Sequence, residues 1–167
     1  MTMMSAIDPR EASALYAGFA AAFRYPEEGG WLSGPEFLEA FDPGVTADAT
    51  SLNEASSAGI ETSALFEELV RFYEHFGLRR LEKAGLPDHL GVELDFMHFL
   101  CELQQAAEAR GEDVGAVTTA QRDFLDRHVL RLLAGVHGQR KESEDKASHL
   151  VRECRDFVES HREALAQ

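Results

Sequence analysis

Apolar residues recur at steps of three and four along almost the whole chain, which is the spacing of one face of an α-helix. Only five prolines interrupt this spacing, and no alternating apolar and polar run is long enough to indicate a β-strand. With 167 residues, the chain is long enough for one domain with a buried hydrophobic core. The sequence therefore predicts an all-α protein, a single domain over residues 1–167 built as a bundle of about six helices.

Boundary residues divide this pattern into separate helices. The first has a start signal at Asp8 and Pro9, and it should end at Tyr25, because a residue that precedes proline is disfavoured in helical geometry. The other helices are predicted over 35–41, from Thr62 or Ser63 to Gly77, over 88–110, over 119–134 and after Lys146. The segment 42–60 is rich in small and polar residues and has no aromatic residue, so we expect a mobile, partly disordered connector there.

The net charge of the chain limits the classes of molecule that it is expected to bind. Sixteen Lys and Arg residues against 30 Asp and Glu residues give a formal net charge of −14. This charge opposes phosphate backbones and anionic lipid surfaces, so we expect no nucleic acid partner, and any charge-selected partner should be cationic. No apolar run approaches the roughly 18 residues that span a bilayer, and the N-terminal residues show no secretory signal. Cys101 and Cys154 form no CxxC pair and are predicted to be reduced thiols of a cytoplasmic protein.

The predicted helix over 88–110 is the most informative segment. On a helical wheel its apolar residues cover well over half of the circumference, so we expect this helix at the centre of the bundle. His89 and Glu93 fall inside the apolar arc, where a charged group needs a partner or a wet cleft because its burial is costly. The remaining arc is predicted to be solvated and holds Asp95, His98 and Glu102.

Structural and functional interpretations compete for the polar residues at the start of this helix. Asp88 can be an N-cap that accepts hydrogen bonds from free backbone N–H groups. His89 and Glu93 can be a satisfied pair one helical turn apart. A polar cluster at the start of a central helix also leaves a functional cleft open.

Motifs for catalysis and metal binding are missing from the sequence. No histidine has Glu three places before it, as a ferritin-like di-iron bundle requires, and the approximation Asp95-x-x-His98 lies on the predicted solvated arc. The HExxH, GxSxG and P-loop patterns are also absent. We therefore expect no enzyme, no catalytic residue and no metal. The alternative is a metal- or nucleotide-dependent helical enzyme that uses Asp88, His89 and Glu93.

Four segments, taken in order, form a specific pattern. They are YAGFAAAFRYP at 16–26, FYEHFGL at 72–78, LPDHLGVELDFMHFL at 86–100 and DFLDRHVLRLL at 123–133. Together they resemble the TorD/DmsD/NarJ family of all-helical, cytoplasmic chaperones for molybdenum-cofactor enzymes. The resemblance implies a protein that binds the twin-arginine leader or N-terminal segment of a client subunit. It also implies that the client is held back from export or assembly until its molybdopterin cofactor is inserted.

The resemblance also assigns a peptide-binding cleft. The family's Glu-Pro-Asp-His hinge motif falls on residues 86–89, where Leu86 replaces the acidic residue and the other three match. With the aromatic block after Phe72, the predicted peptide-binding residues are Tyr73, Phe76, Gly77, Leu78, Pro87, Asp88, His89 and Glu93. No cofactor of the chain's own is implied, because the client carries the molybdopterin guanine dinucleotide. Some relatives bind guanine nucleotides, but this sequence shows no phosphate-cradling loop.

The charge distribution agrees with a cationic peptide partner. Ten acidic residues and no Lys or Arg lie between Arg24 and Arg71, and five acidic residues without a Lys or Arg lie between Lys83 and Arg110. Acidic surface beside an aromatic and aliphatic groove complements a leader that is cationic at one end and apolar after it. The alternative is that these charges only keep the protein in solution.

The segment HLGVELDFM at 89–97 favours one subgroup of the family. This subgroup serves dimethylsulfide dehydrogenase, ethylbenzene dehydrogenase and chlorate or selenate reductase, and a nitrate reductase chaperone is the nearest competitor. A further hypothesis is a permanent structural subunit of the oxidoreductase. The sequence leaves open the client, contact with the molybdenum cofactor, the choice between monomer and dimer, and the role of the C-terminal helix.

Overall fold

In the computed structural model, residues 7–79 and 85–167 are described. They form the helices α1 Pro9–Ala22, α2 Gly34–Phe41, α3 Glu54–Ala58, α4 Thr62–His75, α5 Leu90–Ala109, α6 Gly115–Phe124, α7 Leu130–Arg140 and α8 Lys146–Leu165. A π-helical turn, Leu125–Val129, joins α6 to α7 as one rod. No β-strand occurs in this part of the chain, only an isolated bridge between Asn53 and His89, so the all-α prediction is confirmed.

The first helix shows how closely local signals set the boundaries. The Asp8 carboxylate accepts a hydrogen bond from the Arg10 N–H at 2.9 Å, and Pro9 occupies the first helical position. The carboxylate satisfies one of the free N–H groups at the helix start, and proline suits the first helical position because the N–H that it lacks would have no partner there. The helix ends at Ala22, three residues before the predicted end at Tyr25. None of the helices formed by residues 7–79 and 85–167 is long and apolar enough to span a membrane.

Helix α5 is central, as its apolar wheel predicts. Leu90, Leu94, Met97 and Leu100 have no exposed surface, and the most extensive helix contact in the described structure is between α1 and α5. Burying four large aliphatic side chains of this kind contributes about 1.5–3 kcal/mol each. The α1–α5 pair is therefore the framework on which the other helices are arranged.

The arc of α5 that is predicted to be solvated is only partly so: Glu102 is exposed as predicted, whereas Asp95 and His98 are half-buried by contacts with α1 and the residues that follow it. Arg24 Nη2 lies 2.5 Å from the Asp95 carboxylate, and Ser13 Oγ lies 2.8 Å from His98 Nδ1. The Ser13 hydroxyl also donates a hydrogen bond to Glu102. A helical wheel does not distinguish a polar arc that faces water from one that meets polar side chains of a neighbouring helix.

The start of α5 differs from the expected N-cap. The helix begins at Leu90, and the capping residue is His89, whose Nδ1 accepts a hydrogen bond from the Gly91 N–H at 3.0 Å. Asp88 caps a different helix, because its carboxylate accepts hydrogen bonds from Asn53 Nδ2 at 2.9 Å and from the Ala55 N–H at 3.0 Å. Asp88 therefore stabilises the start of α3 across a long sequence separation.

The segment 42–60 is not the partly disordered connector that its composition indicates. It contains α3 and buries the side chains of Leu52 and Glu54. Two backbone hydrogen bonds join it to the start of α5 and to the chain just before it, from Leu90 N to Leu52 O at 2.8 Å and from Glu54 N to Asp88 O at 3.0 Å. These contacts make the second half of the segment part of the bundle.

Candidate functional site

An apolar groove of about 270 Å³ lies between the end of α4 and the first half of α5. Its apolar lining includes Tyr73, Leu78, Pro87, Val92, Phe96 and Phe99. Three charged residues also line it: Glu74, Arg79 and Asp95. We call this site the α4–α5 groove. Its size and mainly apolar lining are typical of sites that bind an apolar side chain or a short peptide segment.

The turn after α4 brings Leu78 into the groove. Gly77 has φ of 80°, a left-handed conformation that favours glycine. Its N–H donates to Glu74 O at 2.9 Å, and the Leu78 N–H donates to Tyr73 O at 3.0 Å. This pair of hydrogen bonds is a Schellman motif, which ends the helix and turns the next residue back towards it. The predicted C-terminal role of Gly77 is confirmed.

Tyr73 connects the two walls of the groove. Its hydroxyl donates a hydrogen bond to the Pro87 carbonyl oxygen at 2.7 Å, and its ring centroid lies 4.9 Å from that of Phe96 in an edge-to-face arrangement. Burial is the largest cause that raises the pKa of the Tyr73 hydroxyl well above its ordinary value, and the nearby carboxylates of Glu54 and Asp88 add to the shift. The hydroxyl therefore remains a neutral donor that holds Pro87 against α4.

The structure brings together part of the predicted peptide-binding set. Tyr73, Leu78 and Pro87 line the α4–α5 groove, and Gly77 forms the turn that precedes Leu78. The Phe76 ring lies beside the groove, with its centroid 5.9 Å from that of Phe96. The residues of the predicted aromatic block therefore lie in the α4–α5 groove or directly beside it.

The predicted polar contacts lie elsewhere. Asp88 is 1% exposed and Glu93 is 0% exposed, and neither lines the groove. His89 is partly buried, and burial together with the nearby Arg24 charge lowers the pKa of its ring. The polar residue that sequence reasoning missed is Asp95, which lines the groove although it was placed on a solvated arc. The signal that could have found it is its position one turn before Phe99, on the same face of α5.

A buried polar cluster lies next to the groove. Glu54 of α3, Glu93 of α5 and His128 of the π-helical turn all have no exposed surface. The Glu54 carboxylate is 3.1 Å from His128 Nδ1 and 2.5 Å from Arg131 Nη2. The other ring nitrogen of His128, Nε2, is 3.2 Å from the carboxylate of Glu68 on α4. His128, in the π-helical turn, therefore lies between a carboxylate of α3 and a carboxylate of α4.

The two buried carboxyl groups of this cluster have opposite pKa shifts. Burial opposes the ionisation of Glu54, but hydrogen bonds with His128 and Arg131 lower its pKa. Burial, together with the charge of Glu54, raises the pKa of Glu93 well above its ordinary value. The Glu93 oxygens have no hydrogen-bond partner among the described residues. Burial beside the ionised Glu54 therefore favours the neutral form of Glu93.

Replacing Glu93 by glutamine should stabilise the protein at neutral pH. In wild type the unfolded chain releases the Glu93 proton above about pH 4.5 while the folded chain keeps it, so stability falls as pH rises towards the raised pKa. The glutamine amide is close in shape to the neutral acid and does not titrate. We expect equal stability near pH 4 and a gain at pH 7 of about 1.4 kcal/mol per unit of pKa elevation.

Urea unfolding of E93Q and wild type at several pH values measures this gain. Glu67, which is exposed on α4, provides the control variant E67Q with the same chemical change. A difference between E93Q and wild type that stays constant from pH 4 to pH 7 would show that Glu93 is ionised in the folded protein.

The described part of the chain has no cluster of side chains that could act together as metal ligands. No group of three or more His, Cys, Asp or Glu side chains among those residues could hold a metal ion. Cys101 and Cys154 are buried free thiols, and burial raises the pKa of Cys101 to about 12. Thiols in this environment are poor nucleophiles.

Comparison with known proteins gives the relatives of this chain. Residues 59–135, which contain α4, the groove, α5 and the π-helical turn, match the family described as "Nitrate reductase delta subunit". The selenate reductase assembly chaperone of Thauera selenatis is 32% identical, and the match covers 99% of this chain and 95% of that protein. The chlorate reductase assembly chaperone of Ideonella dechloratans is 30% identical, over 95% of this chain and 91% of that protein.

A third relative has higher identity over a shorter match. The dimethyl sulfide dehydrogenase assembly chaperone of Rhodovulum sulfidophilum is 39% identical over 65% of this chain and 47% of that protein. All three names belong to the subgroup that the segment 89–97 favours.

An all-helical bundle with an apolar groove, related over its full length to such proteins, has the features of an assembly chaperone. The chain belongs to the TorD/DmsD/NarJ family of molybdoenzyme maturation chaperones. Its predicted family is confirmed, and so is its predicted place among chaperones and not among enzymes.

Proposed function

We propose that the α4–α5 groove binds the cationic N-terminal leader of a molybdoenzyme catalytic subunit and holds that subunit in the cytoplasm until its molybdopterin cofactor is inserted. The observation that carries this proposal is a groove in which the carboxylates of Glu74 and Asp95 lie among aromatic and aliphatic side chains. The relatives named for selenate and chlorate reductase support a client of the same enzyme class. In this proposal the client receives and carries the cofactor, and the chaperone supplies only the binding site for the leader.

The chemistry of the groove fits a leader that is cationic at one end and apolar beyond it. The Tyr73 hydroxyl donates its hydrogen bond to the Pro87 carbonyl oxygen. Since both groups are paired, this part of the lining offers mainly apolar surface to a ligand. At Asp95, the side chain of Arg24 already makes a close ion pair of 2.5 Å with 44% of the Asp95 side chain exposed. A guanidinium group therefore fits at this carboxylate, and a leader arginine can bind its exposed side.

In this proposal Asp88, His89 and Glu93 act from inside the bundle. Asp88 fixes α3 to the chain before α5, and His89 caps α5. Glu93 is buried in α5 near Glu54 of α3, whose charge raises its pKa. These contacts set the position of Pro87 relative to Tyr73, and thereby the width of the groove.

Calorimetric titration with a synthetic twin-arginine leader peptide tests the proposal. We expect saturable binding that weakens about tenfold when Asp95 is replaced by asparagine and again when Glu74 is replaced by glutamine, since a hydrogen bond to a charged group contributes about 1.5 kcal/mol or more. A peptide with both arginines changed to glutamine should lose the same affinity and should not discriminate between wild type and D95N.

Two matched control variants remove a negative charge at a site outside the groove. Glu39→Gln and Asp48→Asn change exposed acidic residues that form no ion pair with any described residue, so they should leave the affinity unchanged. Equal affinity of the twin-arginine and the twin-glutamine peptides for the wild-type protein would refute the role of the carboxylates in leader binding.

A further inference from the structure

A second and larger groove lies along α1, away from the α4–α5 groove. It has a volume of about 810 Å³ and is bounded by α1, by the turn over residues 26–31 and by the side of α8 that carries Leu150 and Glu153. We call it the α1 groove. It shares no lining residue with the α4–α5 groove, so the two sites are separate.

Exposed apolar surface concentrates in the α1 groove. Leu15 is 38% exposed, Tyr25 is 64% exposed and Trp31 is 50% exposed, and all three line it. Only two other large hydrophobic residues are comparably exposed in residues 7–79 and 85–167, namely Val45 and Leu86. A cluster of exposed aromatic and aliphatic side chains in a concave site is typical of an interaction surface, and Trp and Tyr are the residues that most often dominate binding energy.

The aromatic wall of the α1 groove is held in place before any partner arrives. The Tyr25 ring packs edge-to-face on Phe37 of α2 with 6.2 Å between centroids. Its hydroxyl lies so close to Gly34 that a Cβ atom there would be only 2.7 Å away. The turn that follows is closed by a hydrogen bond from Gly30 N to Glu27 O at 3.1 Å. A preorganised surface of this kind loses little conformational entropy on binding.

The unpaired charge of the α1 groove is acidic. Glu27, Glu28 and Glu153 line it, and none of them forms an ion pair with another residue in the described part of the chain. The one basic residue in the lining, Arg24, is paired with Asp95. A partner that fills this groove must therefore supply positive charge together with apolar side chains.

We propose that the α1 groove is a second docking surface, which binds a basic segment of a partner polypeptide through aromatic or branched aliphatic side chains. Three carboxylates select the basic residues, and Leu15, Tyr25 and Trp31 bind the apolar ones. A second copy of this chain is a poor occupant, because its own net charge of −14 would be brought against an acidic rim. The proposal does not depend on leader binding in the α4–α5 groove.

Trp31 is the single tryptophan of the chain, so its fluorescence reports on this groove alone. The probe is a tryptophan-free dodecapeptide with four arginine and four phenylalanine residues, and its control carries glutamate in place of arginine. We expect a saturable change in Trp31 emission with the basic peptide and none with the acidic one. The affinity should fall as salt is raised, since exposed charges are screened.

Gly18 provides a variant that blocks the groove without disturbing the core. It lines the groove in the middle of α1, and a Cβ atom built there meets no other atom within 4 Å. Gly18→Leu should therefore weaken the basic peptide at least tenfold, while the small side chain of Gly18→Ala should have little effect. Both variants replace a helical glycine and should fold at least as well as wild type.

A triple variant tests the charges. Glu27→Gln, Glu28→Gln and Glu153→Gln together should weaken the basic peptide about tenfold at low salt. The control triple variant, Glu39→Gln, Asp48→Asn and Glu142→Gln, makes the same change in net charge at exposed sites outside the groove and should bind as wild type.

Three outcomes would overturn the proposal. The first is no saturable Trp31 response, and the second is a response that Gly18→Leu leaves unchanged. The third is burial of Trp31 by self-association without peptide, which would assign the groove to a second copy of the chain. Glu74→Gln keeps the two sites apart, because Glu74 lines only the α4–α5 groove and this variant should give the wild-type Trp31 response whichever result leader binding gives.

Discussion

Replacing Glu54 by alanine is expected to lower the free energy of unfolding by about 3–5 kcal/mol, the usual effect of removing one partner from a buried ion pair. The Glu54 carboxylate is the acceptor shared by His128 Nδ1 at 3.1 Å and by Arg131 Nη2 at 2.5 Å. Its charge also raises the pKa of the buried Glu93. The alanine variant leaves these groups with an apolar methyl group in a site that has no exposed surface at Glu54, Glu93 or His128.

Urea unfolding at pH 7, followed by circular dichroism, measures this loss. The matched control is Glu112→Ala, which removes a carboxylate that pairs with Arg110 at 2.7 Å while more than half of each side chain is exposed. Exposed pairs of this kind contribute about 0–1 kcal/mol, so the control should remain close to wild type. A loss of the same size in both variants would mean that the Glu54 cluster is open to water.

The sequence predicted the helices and the family because both depend on local patterns. Apolar spacing located α1, α4, α5 and α8, and local signals such as Asp8 with Pro9 and the glycine at Gly77 located helix ends. The four family segments are contiguous as well. Predictions that needed only residues within a few turns of one another located these helices, although some ends differ: α1 ends three residues before Tyr25, and the helix predicted over 119–134 extends from Gly115 to Arg140.

Predictions that depend on distant partners were less successful. Asp88 looked like a cap for its own helix because the residues that it caps lie far back in the chain, at Asn53 and Ala55. The polar arc of α5 looked fully solvated because its partners lie far away in sequence, Ser13 on α1 and Arg24 just after it. A single sequence carries no direct signal for such pairings, which come from tertiary packing.

The segment 42–60 was misjudged for a different reason. Its small and polar residues have no periodic apolar face, and composition of this kind is typical of disorder. Here the order comes from backbone hydrogen bonds at Leu52 and Glu54 and from the Asp88 cap, none of which requires a hydrophobic side chain. The α1 groove was missed because Trp31 and Tyr25 become neighbours of α8 only in the folded bundle.

Replacing Gly135 by valine is expected to destabilise the protein by about 3 kcal/mol, at the upper end of the usual cost of overpacking a core contact. Gly135 lies in α7 where this helix meets α3. A Cβ atom there would be 2.5 Å from the Ser57 carbonyl oxygen and 3.0 Å from the Ser57 carbonyl carbon. Because both atoms belong to the backbone, no change of side-chain rotamer can relieve the clash, and α3 must move as a unit. That movement pulls Glu54 away from His128 and strains the Asp88 cap.

Gly138 in the same helix is the matched control, since a Cβ atom there meets nothing within 4 Å. Gly138→Ala should stabilise the protein by about 0.5–1 kcal/mol through helix propensity alone. Thermal unfolding of the two variants should therefore shift in opposite directions. If Gly135→Val unfolds like wild type, α3 does not rest on α7, and the mobile connector that the composition predicts is the correct description of residues 42–60. If the variant is destabilised while Gly138→Ala is not, this segment holds the buried acid cluster in place, and through Asp88 and Pro87 it sets one wall of the α4–α5 groove.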